Sequence, residues 1–185
     1  GFSGEMSIEN VVFVLGPRIN AAGRIKHAKA AVQLLLADDF DEALSFAYEI
    51  QNNNTERKGH DSRITEEALE MIRKDDWLLN MAKSTVLFSE NWHKGVIGIV
   101  ASRCIENFHR PTIIFTKSSD KVAAGSARSV PGFDLYAAIE RSAHLLIQFG
   151  GHMHAAGMTI EIEKIDEFRA HFDQIVNEMI LEEQL

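Results

Sequence analysis

The stretch TVLFSENWHKGVIGIVASRCIENFHRPTIIFT, Thr85–Thr116, decides the fold of this 185-residue chain. Its two ends, Thr85–Ser89 and Thr112–Thr116, are β-branched and aromatic runs bounded by polar residues, which is typical of strands. Between them, Val96–Phe108 has helical composition and begins just after Gly95. A strand, a helix and another strand in succession predict an α/β unit with two or three layers.

The sequence after this stretch continues the alternation. Lys121–Ala127 and Met158–Ile162 are two more predicted strands, and Asp134–Phe149 is predicted to be helical between them. A terminal helix, Lys164–Leu181, follows and places its apolar residues on one face.

The sequence before this stretch predicts one long helix. Residues 40–75 contain no proline and one glycine, and a stripe from Ala43 to Met71 recurs at spacings of four and three. The stripe is apolar at both ends and polar at Asn54, Arg57 and Asp61, so we expect its centre to face water or a ligand. The alternative is two shorter helices that meet near Gly59. Residues 1–24 show no helical period, and Ala28–Ala37 is again predicted to be helical.

The composition argues against a membrane-spanning protein and against one with an internal disulfide. The longest apolar stretches are far shorter than the roughly 20 residues that a membrane span needs, so no membrane partner is expected. Cys104 is the only cysteine, which excludes an internal disulfide, and nothing resembles a signal segment, so we expect a cytoplasmic protein.

Charge is distributed unevenly along the chain. The net charge is −8, which by itself disfavours nucleic acid as a partner. The acidic residues are concentrated in residues 38–76 and 161–185, whereas Asn10–Ala37 and Arg141–Ile160 contain none. These two acid-free segments could face an anion.

The first motif is GPRINAAGR, Gly16–Arg24. Arg18 and Arg24 offer planar forks of donors that match phosphate oxygens, Asn20 adds a neutral donor, and the small residues let the backbone come close. The alternative is a loop whose arginines pair with the acidic helix that follows.

The second motif is GSARS, Gly125–Ser129. Ser126, Arg128 and Ser129 lie where a predicted strand ends, and α/β folds place ligands at strand ends. The alternative is a turn with a surface arginine.

The third motif, FGGHMHAAG at Phe149–Gly157, is the strongest single signal. Gly150 and Gly151 are expected to break the preceding helix, and the small residues around His152 indicate backbone pressed against another group. Histidine can donate to a phosphate oxygen or transfer a proton near neutral pH. With His154 it would make a poor metal site, because no third ligand is near. The alternative is a helix end with surface histidines.

The fourth motif is WHKGVIGIVASR, Trp92–Arg103. Gly95 lies at the expected helix start, so free amides and the positive end of the helix dipole could meet an anion there, with His93 and Lys94 beside them. For Gly98 we expect a packing role, a close approach between helix and sheet.

In this order the four motifs resemble the RecJ family of single-strand-specific exonucleases, within the DHH phosphoesterase superfamily, over nearly the whole chain. The resemblance implies that residues 1–39 end a catalytic lobe, 40–82 form a connecting helix, and 83–185 form a substrate-binding DHH-associated domain with a mixed sheet flanked by helices. The family's Asp-His-His triplet and metal-binding aspartates do not occur here. The chain is therefore expected to be a fragment.

The resemblance also implies a function: 5′-to-3′ hydrolysis of single-stranded DNA in repair and recombination. The Mn²⁺ or Mg²⁺ ions of such an enzyme would have their ligands outside this chain. Three groups of residues would act on the DNA. Those lining the substrate channel would be Arg18, Asn20, Arg24 and Arg57. Those holding the end phosphate would be Ser126, Arg128 and Ser129. Those approaching the scissile phosphate would be Gly150, Gly151 and the catalytic His152.

Two other functions compete with this one. One is a DHH-family phosphodiesterase for oligoribonucleotides or cyclic dinucleotides, and the other is a nucleic-acid-binding module without catalysis. GPRINAAGR and the long helix resemble RecJ and argue against both. The sequence leaves open the oligomeric state and whether the chain binds DNA by itself.

Overall fold

The structure, a computed structural model, describes residues 5–184 and divides the chain into two compact units, Gly1–His60 and Asp61–Leu185. The boundary lies inside a helix. The first unit is helical, and its elements are α1 (Ile8–Asn10), a π-helical turn (Val11–Leu15), α2 (Gly16–Ile25), α3 (Lys29–Leu36) and the first part of α4 (Phe40–Lys74). Its small core contains Ala22, Ala30, Ala31 and Ile50.

The expectation that the first 24 residues lack helix was wrong for residues 8–24, and residues 1–4 lie outside the described part. GPRINAAGR forms most of α2. Pro17 stands in the first turn of α2, directly after the π-helical turn Val11–Leu15. Ala21 and Ala22 are fully buried. The alanines favour a helix that a search for apolar periodicity does not detect.

Helix α4 is one continuous helix of 35 residues, so Gly59 does not divide it. Ile50, Ile64 and Ala68 are buried, as the stripe predicts. Met71 is exposed and Ile72 is buried in its place. Ile64, Ala68 and Ile72 are spaced by four residues and therefore lie on one face of the helix. Asn54, expected to face water or a ligand, is only 2% exposed.

The second unit confirms the predicted mixed α/β sheet flanked by helices. Its sheet has the order β1-β2-β3-β5-β4, and only the β1–β2 pair is parallel. Its elements after α4 are α5 (Asp76–Asn80), β1 (Thr85–Ser89), α6 (Ile97–Phe108), β2 (Thr112–Lys117), β3 (Val122–Arg128), α7 (Leu135–Arg141), β4 (Gln148–His152), β5 (Ala155–Glu161) and α8 (Ile165–Met179).

Each face of the sheet has its own core. Because successive side chains point to opposite faces, Val86 and Ile113 belong to one core and their neighbours Leu87 and Ile114 to the other. The first core includes the buried residues of α7 and α8, and the second includes those of α6 and the end of α4. Helix α6 contacts β2 and β3. On that face, Gly157 of β5 and Gly150 of β4 are exposed.

The region around the third motif differs from the prediction. Helix α7 ends at Arg141, and residues 148–161 form a hairpin of β4 and β5. The two glycines Gly150 and Gly151 lie within β4 and do not end a helix. Strand β5 begins at Ala155, three residues before the predicted strand. Because glycine has a low strand propensity, the pairing of β4 with β5 depends on tertiary contacts and not on the local sequence.

Within residues 5–184, no helix combines the length and apolar character that crossing a bilayer would require.

Candidate nucleic-acid interface

Strand register brings the second and third motifs side by side. Ser126 of β3 lies opposite Gly157 of β5, which lies opposite Gly150 of β4. Two residues along, Arg128 lies opposite Ala155, which lies opposite His152. Directly opposed residues share a face, and so do residues two apart on one strand. Both rows therefore lie on the α6 face, with cross-strand steps of about 5 Å.

Two glycines form an open surface in the first row. A β-carbon on Gly150 would meet no described atom within 4 Å, and one on Gly157 would reach only the Gly125 oxygen, at 4.0 Å. Neither glycine has a positive φ. Backbone geometry and the packing of the described residues therefore leave room for a side chain at both positions, and glycine keeps the backbone accessible.

A cleft of about 430 Å³ lies over this surface. Its lining includes Lys94, Gln148, Gly150, Gly157 and Thr159. The cleft thus combines exposed backbone, the cation of Lys94 and neutral polar side chains. The lysine suits an anionic group of a ligand, and the exposed backbone suits a planar group that lies against the sheet.

Arg128 and Ser126 lie against the beginning of α6. Arg128 Nη1 donates to Ser126 Oγ at 3.1 Å and to the Ala127 carbonyl oxygen at 2.7 Å. Helix α6 has no acidic residue in its first turn. The arginine therefore lies next to a positive helix end, and a bound anion would be stabilised by both.

His152 ends β4 and is exposed. Its Nδ1 accepts a hydrogen bond from the His154 backbone amide, at 3.2 Å. A neutral ring that accepts at Nδ1 carries its proton on Nε2. The ring is therefore oriented by this backbone bond and by an edge-to-face contact with the His154 ring, 5.8 Å between centroids, and Nε2 is left as the donor.

Ser129 and Gly151 shape the hairpin beside these rows. The Ser129 hydroxyl donates to the Phe133 carbonyl oxygen at 2.8 Å, and its amide donates to the His154 carbonyl oxygen at 3.1 Å. A β-carbon on Gly151, whose φ is +156°, would overlap the Ala155 carbonyl oxygen. Both residues therefore hold the turn that carries His152 and His154.

The loop before α6 holds Lys94 in place. Trp92 is 4% exposed, its Nε1 donates to Glu67 at 2.8 Å, and its carbonyl accepts from Thr116 at 2.6 Å. Next to it, His93 Nδ1 accepts from the Gly95 amide at 3.1 Å. Lys94 itself is exposed and lines the cleft.

The predicted residues of the first unit occupy α2 and α4. Arg18 donates to Gln51 at 2.7 Å and to the Val14 carbonyl oxygen at 2.7 Å, so its partner on α4 is neutral and not acidic. Asn20 and Arg24 are exposed on α2. Arg57 is half-buried, and its Nη2 lies 3.5 Å from the side-chain oxygen of Asn54.

No three His, Cys, Asp or Glu side chains within residues 5–184 are grouped so that they could hold a metal ion. Cys104 is fully buried, and its pKa is raised to about 12, mainly because burial disfavours the thiolate, while Arg110 opposes the shift. The donors within residues 5–184 therefore do not fit a metal centre.

Sequence reasoning missed several residues of the cleft. From the sequence, Gln148 lies in a predicted helix and Thr159 in a predicted strand, neither with an expected site role. Gly157 is only the last residue of the third motif, and Lys94 is only a neighbour of the anion expected at Gly95. Gln148 and Thr159 are a cross-strand pair next to the Gly150–Gly157 pair, an arrangement that appears only when the β4–β5 register is known, and Lys94 joins them from the loop before α6.

Comparison with known proteins confirms the family. The model of the DHHA1 domain matches residues 80–178. The single-stranded-DNA-specific exonuclease RecJ of Bacillus subtilis is 40% identical over 99% of this chain, and that of Escherichia coli is 36% identical over 95%. The chain spans 23% and 31% of the length of these two relatives.

Solved structures agree with these relatives. RecJ from Thermus thermophilus in complex with Mg²⁺ superposes with a TM-score of 0.82 at 31% identity, over 92% of this chain and 26% of that one. A crystal structure of exonuclease RecJ bound to manganese gives 0.79 at 30% identity, over 92% of this chain and 42% of that one. With its matched domain, its RecJ relatives and its mixed sheet, the chain belongs to the DHHA1 domain family.

Proposed function

We propose that this chain supplies the DNA-gripping part of a longer 5′-to-3′ single-stranded-DNA exonuclease that acts in cytoplasmic DNA repair and recombination. In this proposal residues 1–39 are the end of the catalytic lobe, residues 40–82 form the helix that connects this lobe to the next domain, and residues 83–185 form the domain that binds the substrate. One observation carries it: Ser126, Arg128, Gly150, Gly157 and His152 share one face of the sheet beside α6. The names of the relatives, single-stranded-DNA-specific exonucleases, support the substrate.

Ser126 and Arg128 bind the terminal 5′-phosphate. Arginine presents two parallel donors to a phosphate, and the hydroxyl adds a third donor from the same face. Arg128 Nη1 already contacts Ser126 Oγ, so the two groups converge before any ligand is present. Ser129 fixes the neighbouring turn through its bonds to Phe133 and His154.

The bare backbone of Gly150 and Gly157 lets the next nucleotide approach the sheet, with Gly151 holding the hairpin. His152 Nε2 donates to the scissile phosphate, where negative charge grows during attack, so the bond stabilises the transition state more than the bound substrate. The ligands of Mn²⁺ or Mg²⁺ would lie outside this chain, and such an ion would supply an activated water to the attack. Lys94 neutralises a further phosphate at the rim of the cleft.

The channel of the first unit is lined by Asn20 and Arg24, both exposed on α2, together with Arg18 and Arg57. The acid-free segment around Arg18, Asn20 and Arg24 keeps repulsion of the DNA backbone low. The acidic side chains within residues 38–76 then form surface away from the DNA.

A nuclease assay tests the proposal. A longer protein that contains these residues should release nucleotides stepwise from the 5′ end of single-stranded DNA with Mn²⁺, and leave duplex DNA largely intact. The 185-residue chain alone, as the matched control, should release none with Mn²⁺ or Mg²⁺. Metal-dependent nucleotide release by the clean chain would show that the metal site has been misplaced.

Binding by the chain alone tests the grip separately. With 5′-phosphorylated single-stranded DNA, the logarithm of the binding constant should fall with the logarithm of salt, by a slope of about −0.7 per neutralised phosphate. Hydrolysis of cyclic dinucleotides by the longer protein, with single-stranded DNA untouched, would favour the phosphodiesterase instead. DNA binding without hydrolysis by the longer protein would favour a non-catalytic module.

A further inference from the structure

Gly98 lies where α6 meets β3. It is the second residue of α6 and is buried. A β-carbon at this position would lie 2.7 Å from Arg128 Nη2, 2.8 Å from Ser126 Oγ and 3.3 Å from Arg128 Cζ. Real β-carbons essentially never approach other atoms within 3.0 Å. An alanine at position 98 and the present positions of Ser126 and Arg128 therefore exclude each other.

The helix itself does not require this glycine. Gly98 has no positive φ, and its carbonyl oxygen accepts a hydrogen bond from the Ser102 side-chain hydroxyl, one turn later, at 3.2 Å. Glycine inside a helix is less stable than alanine by roughly 1 kcal/mol. What Gly98 supplies is therefore space, and the atoms that occupy this space belong to two residues of the GSARS motif.

The fork of Arg128 is thereby held from two sides. Nη1 is bonded to the Ala127 carbonyl oxygen and to Ser126 Oγ, whereas Nη2 lies over Gly98. A β-carbon at position 98 requires both Arg128 Nη2 and Ser126 Oγ to shift, because each would lie closer than 3.0 Å to it. Nη2 is the far end of a flexible side chain, so the shift can be taken up by the arginine without moving the backbone.

We propose that Gly98 is a positioning residue for recognition of a terminal phosphate monoester: its missing side chain sets Arg128 and Ser126 in one geometry against α6. The inference rests on the proposed function of these two residues. It predicts that a substitution outside the phosphate-binding residues removes the preference for a phosphorylated DNA end, while the sheet and the rest of the DNA contacts stay intact.

A double-mutant cycle tests this in the longer protein. The measured quantity is the ratio of affinities for 5′-phosphorylated and 5′-hydroxyl single-stranded DNA of one sequence. Gly98→Ala should lower this ratio by roughly ten- to a hundredfold, as should Arg128→Ala, because charged hydrogen bonds are lost. In the Gly98→Ala/Arg128→Ala double variant the ratio should fall no further than in Arg128→Ala. Gly59→Ala, also a helical glycine but with no described atom within 4 Å of the added carbon, should leave the ratio unchanged.

The outcomes separate the two proposals. If Arg128→Ala lowers the ratio but Gly98→Ala does not, or if the two effects add, the positioning role is overturned and the phosphate pocket stands. If Arg128→Ala leaves the ratio unchanged, the pocket and the positioning role are both overturned. Should Gly98→Ala unfold the protein, adding Ser126→Ala and Arg128→Ala should restore its Tm. A Tm that stays low would show that Gly98 does not act through these two side chains.

Discussion

Gly150 of β4 lies directly opposite Gly157 of β5, and at both positions the described residues leave room for a side chain that glycine does not fill. In a strand, glycine lowers stability relative to alanine by roughly 0.5–1 kcal/mol. Neither the packing of the described residues nor backbone strain requires glycine at these two positions, whereas the proposed contact of DNA with the bare backbone does.

The first prediction concerns this pair. Gly150→Ala and Gly157→Ala should each keep or slightly raise Tm, and each should weaken binding of single-stranded DNA several-fold, because a methyl group separates the DNA from the sheet. Thermal unfolding and a fluorescence binding titration on the same preparations measure both effects.

Two other glycines serve as controls for it. A β-carbon on Gly125 would overlap the Phe115 ring, and one on Gly151 would lie 2.5 Å from the Ala156 α-carbon. Gly125→Ala and Gly151→Ala should therefore lower Tm clearly. Normal DNA affinity in Gly150→Ala and Gly157→Ala would contradict the account of an open backbone surface.

A second prediction separates the two histidines. In the longer protein, His152→Ala should lower turnover by roughly 10²–10³ with DNA affinity nearly unchanged, as for other positioned donors in a transition state. His154→Ala should change neither quantity much, because the bond to His152 comes from the main-chain amide of residue 154 and survives the substitution. If the two variants behave alike, or if His152→Ala mainly weakens binding, His152 is not catalytic.

A third prediction follows from the buried thiol. Because the pKa of Cys104 is raised to about 12, the folded protein keeps this thiol protonated at pH values where the unfolded chain, with its ordinary pKa near 9, ionises. The contribution of this group to the free energy of unfolding has its full value below about pH 9 and is lost as the pH rises toward 12.

Two measurements check this thiol. Cys104 should resist alkylation by iodoacetamide at pH 8 until denaturant is added. Between pH 9 and 11, Cys104→Ala should lose less of its unfolding free energy than the unchanged protein does. Rapid alkylation of the native protein at pH 8 would contradict the burial of Cys104.

Parts of the fold follow from local sequence. Strands β1 and β2 match their predicted runs within one residue, because β-branched and aromatic residues fill both faces of a covered sheet. Helix α8 also follows the prediction closely, since Phe168, Phe172 and Val176 repeat at four-residue spacing. The close packing expected at Gly98 is confirmed, although its neighbours are polar side chains.

Other parts depend on contacts that local sequence does not encode. Strand β4 contains two glycines and no apolar alternation, so only its pairing with β5 makes it a strand. The placement of β5 between β3 and β4 is also a tertiary property. The motifs identified the chemistry of Arg128 and His152, but their common row, with Ala155 between them, required the register.

The most direct test of the central claim is the effect of Arg128→Lys in the longer protein on DNA with a 5′-phosphate and with a 5′-hydroxyl. Lysine keeps the charge but loses the planar fork that lies between Ser126 and Gly98. We expect activity on the 5′-phosphorylated strand to fall at least roughly tenfold more than activity on the 5′-hydroxyl strand, the loss expected for a charge-assisted bidentate contact. Equal losses on the two substrates would remove Arg128 from the end-phosphate pocket and contradict the proposed grip.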